Sequence, residues 1–102
     1  MSARVEQFQA LVASQPANEL FRFSLSQALI AEGRDNEAIP HLVFCIQQKA
    51  DWMLPRILLG KILIKTGRPA DARPLLETAL QLAIEQDHED PAEELKAILG
   101  AM

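Results

Sequence analysis

The chain has 102 residues, of which 49% are hydrophobic and 24% charged, a balance too apolar for a disordered segment and sufficient for one domain with a real core. A formal charge of −4 gives no electrostatic support to binding nucleic acid or an anionic membrane surface. The lone Cys45 cannot close an internal disulfide, which suits a reducing compartment, and no window approaches the roughly 18 apolar residues of a membrane span.

Leu, Ile and Ala dominate and Tyr is absent, a mixture that favours helix over strand. Polar and apolar residues alternate from Met1 to Ala17, without the unbroken apolar run of a signal peptide, so the expected location is the cytoplasm. Val5, Phe8, Leu11 and Val12 form a stripe at helical spacing, predicting a helix over residues 3–14. From Glu19 to Glu32 apolar residues fall at 20, 21, 25, 28 and 29, again helical, and Gly33 supplies the left-handed residue that ends the element. Asp35 or Asn36 is expected to cap the next helix, which runs to about Lys49 and buries Ala38, Leu42, Cys45 and Ile46. The plan then recurs: Leu54 to Thr66, a turn at Gly67, and Pro69 opening a helix that reaches Gln86. Pro40 and Pro74 fall early in the second helix of each pair, and Pro74 predicts a kink or a missing backbone hydrogen bond. After the polar break Asp87-His88-Glu89-Asp90, the pair Asp90-Pro91 reads as a helix start, with Ala92, Leu95, Ile98 and Leu99 as its apolar stripe.

Sliding the chain by 34 residues superposes Gly33-Arg34 on Gly67-Arg68. The same step pairs Leu20 with Leu54, Arg22 with Arg56, Leu25 with Leu59 and Leu29-Ile30 with Leu63-Ile64. It also pairs Ala38 with Ala72, Pro40 with Pro74, Leu42 with Leu76 and Gln47 with Gln81, making 11 identities in one window. Chance gives only a few, so the chain contains a helix–turn–helix repeat.

With its small residues at Ser26/Gly60, Ala38/Ala72 and Cys45/Ala79 and its leucines at Leu25/Leu59 and Leu29/Leu63, the repeat resembles the tetratricopeptide repeat. Small side chains there let paired helices approach closely while leucines fill the gap. Arg22 and Arg56 replace the family's frequent early tryptophan, and Leu42 and Leu76 its aromatic in the second helix. The resemblance implies an all-α fold, a right-handed stack of antiparallel helix pairs with about six helices in one domain over 1–102. Its expected parts are a half-repeat at 1–16, repeats at 19–52 and 53–86, and a capping helix at 90–102.

The resemblance also implies that the first helix of each repeat lines a concave groove for a peptide or helix of a partner protein. In this sequence the groove would present Leu20, Phe23, Gln27, Ile30 and Ala31, then Leu54, Ile57, Lys61, Ile64 and Lys65, with the lysines forming a basic rim that steers acidic flanks. Composition points the same way, since both helices are apolar over more than the ~100° stripe that one-sided packing requires. A second copy of the chain in a homodimer, or the chain's own carboxy-terminal helix, is the alternative occupant. The lysine–asparagine clamp that some relatives use on chaperone tails is missing, because Phe23, Gln27 and Leu58 stand in its place. Trp52, at the junction between repeats, is a candidate anchor, with simple packing as the competing account.

Catalysis finds no support. Glu37, His41 and Cys45 lie on one helix at formal metal-ligand spacing, but Cys45 occupies a packing position and no second cluster exists. The acidic run Glu85, Asp87, Glu89, Asp90, Glu93 and Glu94 lacks the spacing of a calcium loop and reads as a solvated helix end. No phosphate-cradling glycine loop or nucleophile–base set is present. The sequence therefore predicts a non-enzymatic scaffold for a protein or peptide partner, without cofactor or metal, nucleic acid or membrane.

Overall fold

A computed structural model describes residues 3–102. Among the described residues all regular structure is helical: α1 (Ala3–Ser14), α2 (Glu19–Ala31), α3 (Asp35–Gln48), α4 (Met53–Lys65), α5 (Pro69–Glu85) and α6 (Glu89–Ala101). The fold is the all-α helical repeat expected from the 34-residue periodicity, and no helix is long and apolar enough to cross a membrane. The helices group into two compact units, Met1–Ala50 and Asp51–Met102. In the first, α2 packs on both α1 and α3; in the second, α5 packs on both α4 and α6.

Three of the corners are built alike. At the end of α2, the Gly33 N–H donates to the Ile30 carbonyl at 2.9 Å and the Arg34 N–H to that of Leu29 at 2.9 Å. After α4 the Gly67 and Arg68 N–H groups donate to Ile64 and Leu63 at 3.1 and 2.7 Å. After α5 the Asp87 and His88 N–H groups donate to Ile84 and Ala83 at 3.2 and 2.9 Å. This reciprocal closure needs one left-handed residue, and Gly33, Gly67 and Asp87 supply it with φ of 73°, 79° and 57°.

Because each closure also uses the residue after the left-handed one, the next helix begins at once. Arg34 is thus the cap position of α3 and Asp35 its first helical residue, not the side-chain cap expected of it. Arg34 instead reaches forward and pairs with Glu37 through two short hydrogen bonds of 2.6 and 2.7 Å. Its repeat counterpart Arg68 pairs with Asp71 at 3.2 Å. Likewise α6 begins at Glu89 after His88, so Pro91 is its third residue rather than its first; in the first turn its missing N–H leaves no intrahelical bond unmade. Only α2, among α2 to α6, has a side-chain cap: Asn18 accepts from the N–H groups of Leu20 and Phe21 at 3.0 and 3.1 Å.

Pro40 and Pro74 are each the sixth residue of a continuous helix. Lacking an N–H, they leave the carbonyls of Asn36 and Ala70 without the usual partner four residues on. Both of those residues are exposed, so their carbonyls are open to water, and the helices continue through.

The cores follow the repeat. Ala38, Leu42 and Cys45 on α3, and Ala72, Leu76 and Ala79 on α5, are completely buried. Gly60 lies so close to Leu76 that a Cβ there would stand 2.5 Å from Cδ2 and 2.7 Å from Cγ, which shows why α4 carries a glycine where it meets α5. Its repeat counterpart Ser26 is also fully buried and returns its hydroxyl proton to the Phe23 carbonyl at 2.7 Å. In the family's tryptophan position, Arg22 donates to the Pro16 carbonyl at 2.7 Å and lays its guanidinium 4.2 Å from the centre of the Phe44 ring. A planar cation thereby fills the place of a planar aromatic.

Candidate functional site

The residues expected to line a groove separate by exposure. On α2, Leu20 keeps 57% of its surface exposed and Gln27 is exposed, Ile30 is half-buried and Phe23 is buried. On α4, Leu54 is 46% exposed; Lys61 and Lys65 are exposed, Ile64 half-buried and Ile57 buried. Leu20 and Leu54 are the second residues of their helices and lie one repeat step apart. The sequence thus places an exposed leucine at the same position of both first-of-pair helices. Trp52 is half-buried and sits at the cap position of α4, in extended backbone with φ −87° and ψ 107°.

In the second unit these residues meet α6. A cleft of about 280 Å³ opens between the two helices, with Leu54, Ile57, Leu58 and Lys61 on one wall and Asp90, Pro91 and Glu94 on the other. Across its rim the Lys61 ammonium and the Glu94 carboxylate form an ion pair of 3.0 Å between half-exposed side chains. Ile64 and Lys65, further along α4, do not line it. Lys61 is matched by Glu94, and with Asp90 added the charged groups of the cleft sum to −1, one lysine against two carboxylates.

By local pattern Asp90, Pro91 and Glu94 are only a helix start and a solvated acidic run. A signal for them exists in the sequence: Pro55, Leu59 and Leu63 on α4 recur as Pro91, Leu95 and Leu99 on α6 at a step of 36 residues. α5 has 17 residues against 14 in α3, and the link that follows it has three residues against four, so this third copy falls two residues out of the 34-residue phase and is hidden. Pro55 and Pro91 are each the third residue of their helix. In this register Asp90 takes on α6 the place of Leu54 on α4.

A second hollow, of about 370 Å³, lies at the α5–α6 corner, where Ile84 is 52% exposed beside Asp87, His88 and Glu93. The acidic run is therefore shared between this corner and the cleft.

The α3 triplet is chemically quiet. Cys45 is fully buried and its thiol donates to the Glu19 carbonyl at 3.4 Å. Burial, helped by the nearby Glu19 carboxylate, pushes its pKa up to about 11, which disfavours the thiolate that either nucleophilic attack or metal ligation requires. The two hydrogen bonds from Arg34 hold Glu37 below the usual carboxylate range. Burial, and then the charge of Arg22, holds the His41 imidazole below its ordinary value, and its Nδ1 is buried without a hydrogen-bond partner. Among the described residues no three His, Cys, Asp or Glu side chains are grouped to hold a metal ion.

Comparison with known proteins agrees with this architecture. The chain is 28% identical over 89 residues to the rat (Rattus norvegicus) protein DnaJ homolog subfamily C member 3; the match takes in 87% of this chain but only 18% of that protein's length. The solution structure of protein BPP2914 from Bordetella parapertussis superposes with a TM-score of 0.81 at 28% identity, covering 99% of this chain and 88% of that one. The sequence pattern described as "Tetratricopeptide repeat" matches residues 1–63. With a repeat read directly in the residues, three matching helix corners and a family match over more than half its length, the chain belongs to the tetratricopeptide repeat family, whose members in general mediate protein–protein interaction.

Proposed function

We propose that this chain is a scaffold that holds a peptide or helix of a partner protein against its first-of-pair helices, with the cleft between α4 and α6 as a point of capture. The observation that carries this reading is Leu54. It stands 46% exposed at the edge of a cleft lined by Ile57 and Leu58, so a partner's apolar side chain can be seated there with little rearrangement. Covering what remains of such a leucine contributes roughly 1 kcal/mol, and an aromatic or aliphatic anchor on the partner adds its own burial. Leu20 offers a similar surface at the same helix position in the first unit. A role in binding rather than catalysis fits the raised pKa of the Cys45 thiol and the engagement of Glu37 by Arg34.

The test is Leu54→Glu. Because Leu54 is half exposed in the first turn of α4, the variant is expected to keep wild-type helicity by circular dichroism and to lose the partners that the wild-type chain captures. Ile57→Glu is not an equivalent probe, since Ile57 is 5% exposed and a charge there damages the core. Recovery of an unchanged set of partners by folded Leu54→Glu would remove the cleft from the account. Light scattering over a range of concentrations addresses the competing occupant: a dimer that Leu54→Glu dissociates reassigns the cleft to a second copy of the chain.

A further inference from the structure

We infer that the segment held in the α4–α6 cleft is cationic: a stretch of partner chain that seats a large apolar side chain on Leu54 and Leu58 and sets a lysine or arginine beside Asp90 and Glu94. This rests on the scaffold reading above and adds to it the charge of the ligand, which is opposite to the one the exposed lysines of α4 suggest.

Charge on the two walls decides the sign. Lys61, the one cation among the described residues lining the cleft, already lies 3.0 Å from Glu94. The Asp90 side chain, in contrast, makes no hydrogen bond or ion pair among the described residues and stands on the same wall one helical turn before Glu94. The amino end of α6 contributes roughly half a positive charge near Asp90, which is too little to offset two carboxylates. The surroundings reinforce the sign. Residues 51–102 hold nine Asp and Glu against six Lys and Arg, a balance of −3, and Glu89 and Glu93 flank Asp90 on the same helix.

The repeat register gives an independent argument. Leu20 and Leu54 occupy the second position of α2 and α4, and the second position of α6 holds Asp90. On the two earlier helices that position presents an apolar group to solvent, and on the third it presents a carboxylate. A ligand matched to this pattern carries an apolar residue for Leu54 and, a few residues away, a base for Asp90. An acidic segment would set its own carboxylates against Asp90 and Glu94, with Lys61 already occupied, and like charges brought together in a partly desolvated cleft oppose binding.

The probe is a random dodecapeptide phage library selected on the purified chain, with folded Leu54→Glu selected in parallel. The expected outcome is enrichment, on the wild type alone, of peptides carrying Lys or Arg within a few residues of Leu, Ile, Phe or Met. By fluorescence anisotropy at low salt, replacing that base by Glu should weaken the best peptide at least about tenfold, with the difference shrinking as salt is added. Asp90→Lys should reverse the preference, and Asp90→Asn, which adds no new charge to the start of α6, should narrow it. If the wild type enriches acidic or uncharged peptides that Leu54→Glu loses, the cationic assignment falls while the scaffold reading stands. If selection yields nothing beyond the Leu54→Glu control, or the same basic peptides bind Leu54→Asn, which removes the apolar contact without adding charge, as tightly as the wild type, the cleft is not the docking site and both readings fall.

Discussion

Asp87 does the work of a glycine with a side chain attached. Its backbone lies at φ 57°, where Gly33 and Gly67 sit at 73° and 79°. A Cβ at either glycine would meet nothing within 4 Å, so the obstacle to a side chain there is conformational rather than steric contact with neighbours. Left-handed backbone costs an L-residue roughly 1–2 kcal/mol, somewhat less for Asp and Asn. Gly33→Ala is therefore expected to lose about 1–2 kcal/mol of stability. Asp87→Gly is expected to gain up to about 1 kcal/mol, because the exposed Asp87 side chain makes no hydrogen bond or ion pair among the described residues. Urea unfolding of the two variants checks the pair, and a destabilised Asp87→Gly would show that the carboxylate contributes something the backbone argument omits. This residue also marks a limit of reading the chain as text. Gly33 and Gly67 announce their corners because little else adopts that backbone, whereas Asp87 is one acid among several and its left-handed turn follows from the closure geometry around it.

At the level of helices, the α4–α5 pair shows how the repeat sets its own spacing. Gly60 is a helix-interior glycine, and replacing it by alanine in an isolated helix would stabilise by about 1 kcal/mol. Here the new methyl would fall 2.7 Å from Cγ of Leu76, a side chain with no exposure and therefore little freedom to move aside. Overpacking of this kind costs about 1–3 kcal/mol. Gly60→Ala is thus expected to be net destabilising by as much as about 2 kcal/mol, visible as a drop in Tm, and Leu76→Val in the same chain should relieve part of it. A Tm above wild type for Gly60→Ala would mean that the helices do not approach this closely. Much at this scale was legible in advance. The helices were expected within a residue or two of where they lie, and Ala38, Leu42, Cys45, Leu76 and Ala79 fall in the core that the 34-residue pairing marks. The cleft was not legible. Glu94 comes 33 residues after Lys61, and nothing local to either indicates that they meet. The net shift of two residues, from a longer α5 and a shorter link after it, conceals that Pro91, Leu95 and Leu99 repeat Pro55, Leu59 and Leu63.

Over the whole molecule, the three groups held below their ordinary pKa, His41, Glu19 and Glu37, all act in one direction, towards loss of stability in acid. Burial and the Arg22 charge keep His41 neutral in the folded chain, holding its pKa below the ordinary 6.5. As the pH falls through that value the unfolded chain takes up the proton before the folded one does, so the stability present at neutral pH drains away towards the lower, folded pKa. Glu19 is held below its ordinary 4.5 by a hydrogen bond involving its own backbone and by Lys49, which lies 3.2 Å away, and Glu37 is held there by Arg34. Their contributions are intact above about pH 4.5 and are lost only below it. Acid should therefore weaken the fold in two stages, with His41 responsible for the upper one. His41→Gln, which cannot take up a proton in this range, is expected to flatten the fall in urea-unfolding free energy between pH 7 and 5.5 and to leave the fall below pH 4.5 in place. Cys45, one helical turn from His41 and with its pKa near 11, stays protonated throughout, so it does not confuse the result. An unchanged slope between pH 7 and 5.5 in His41→Gln would mean that the ring is solvated in the folded chain, and that its buried Nδ1 has found water as a partner.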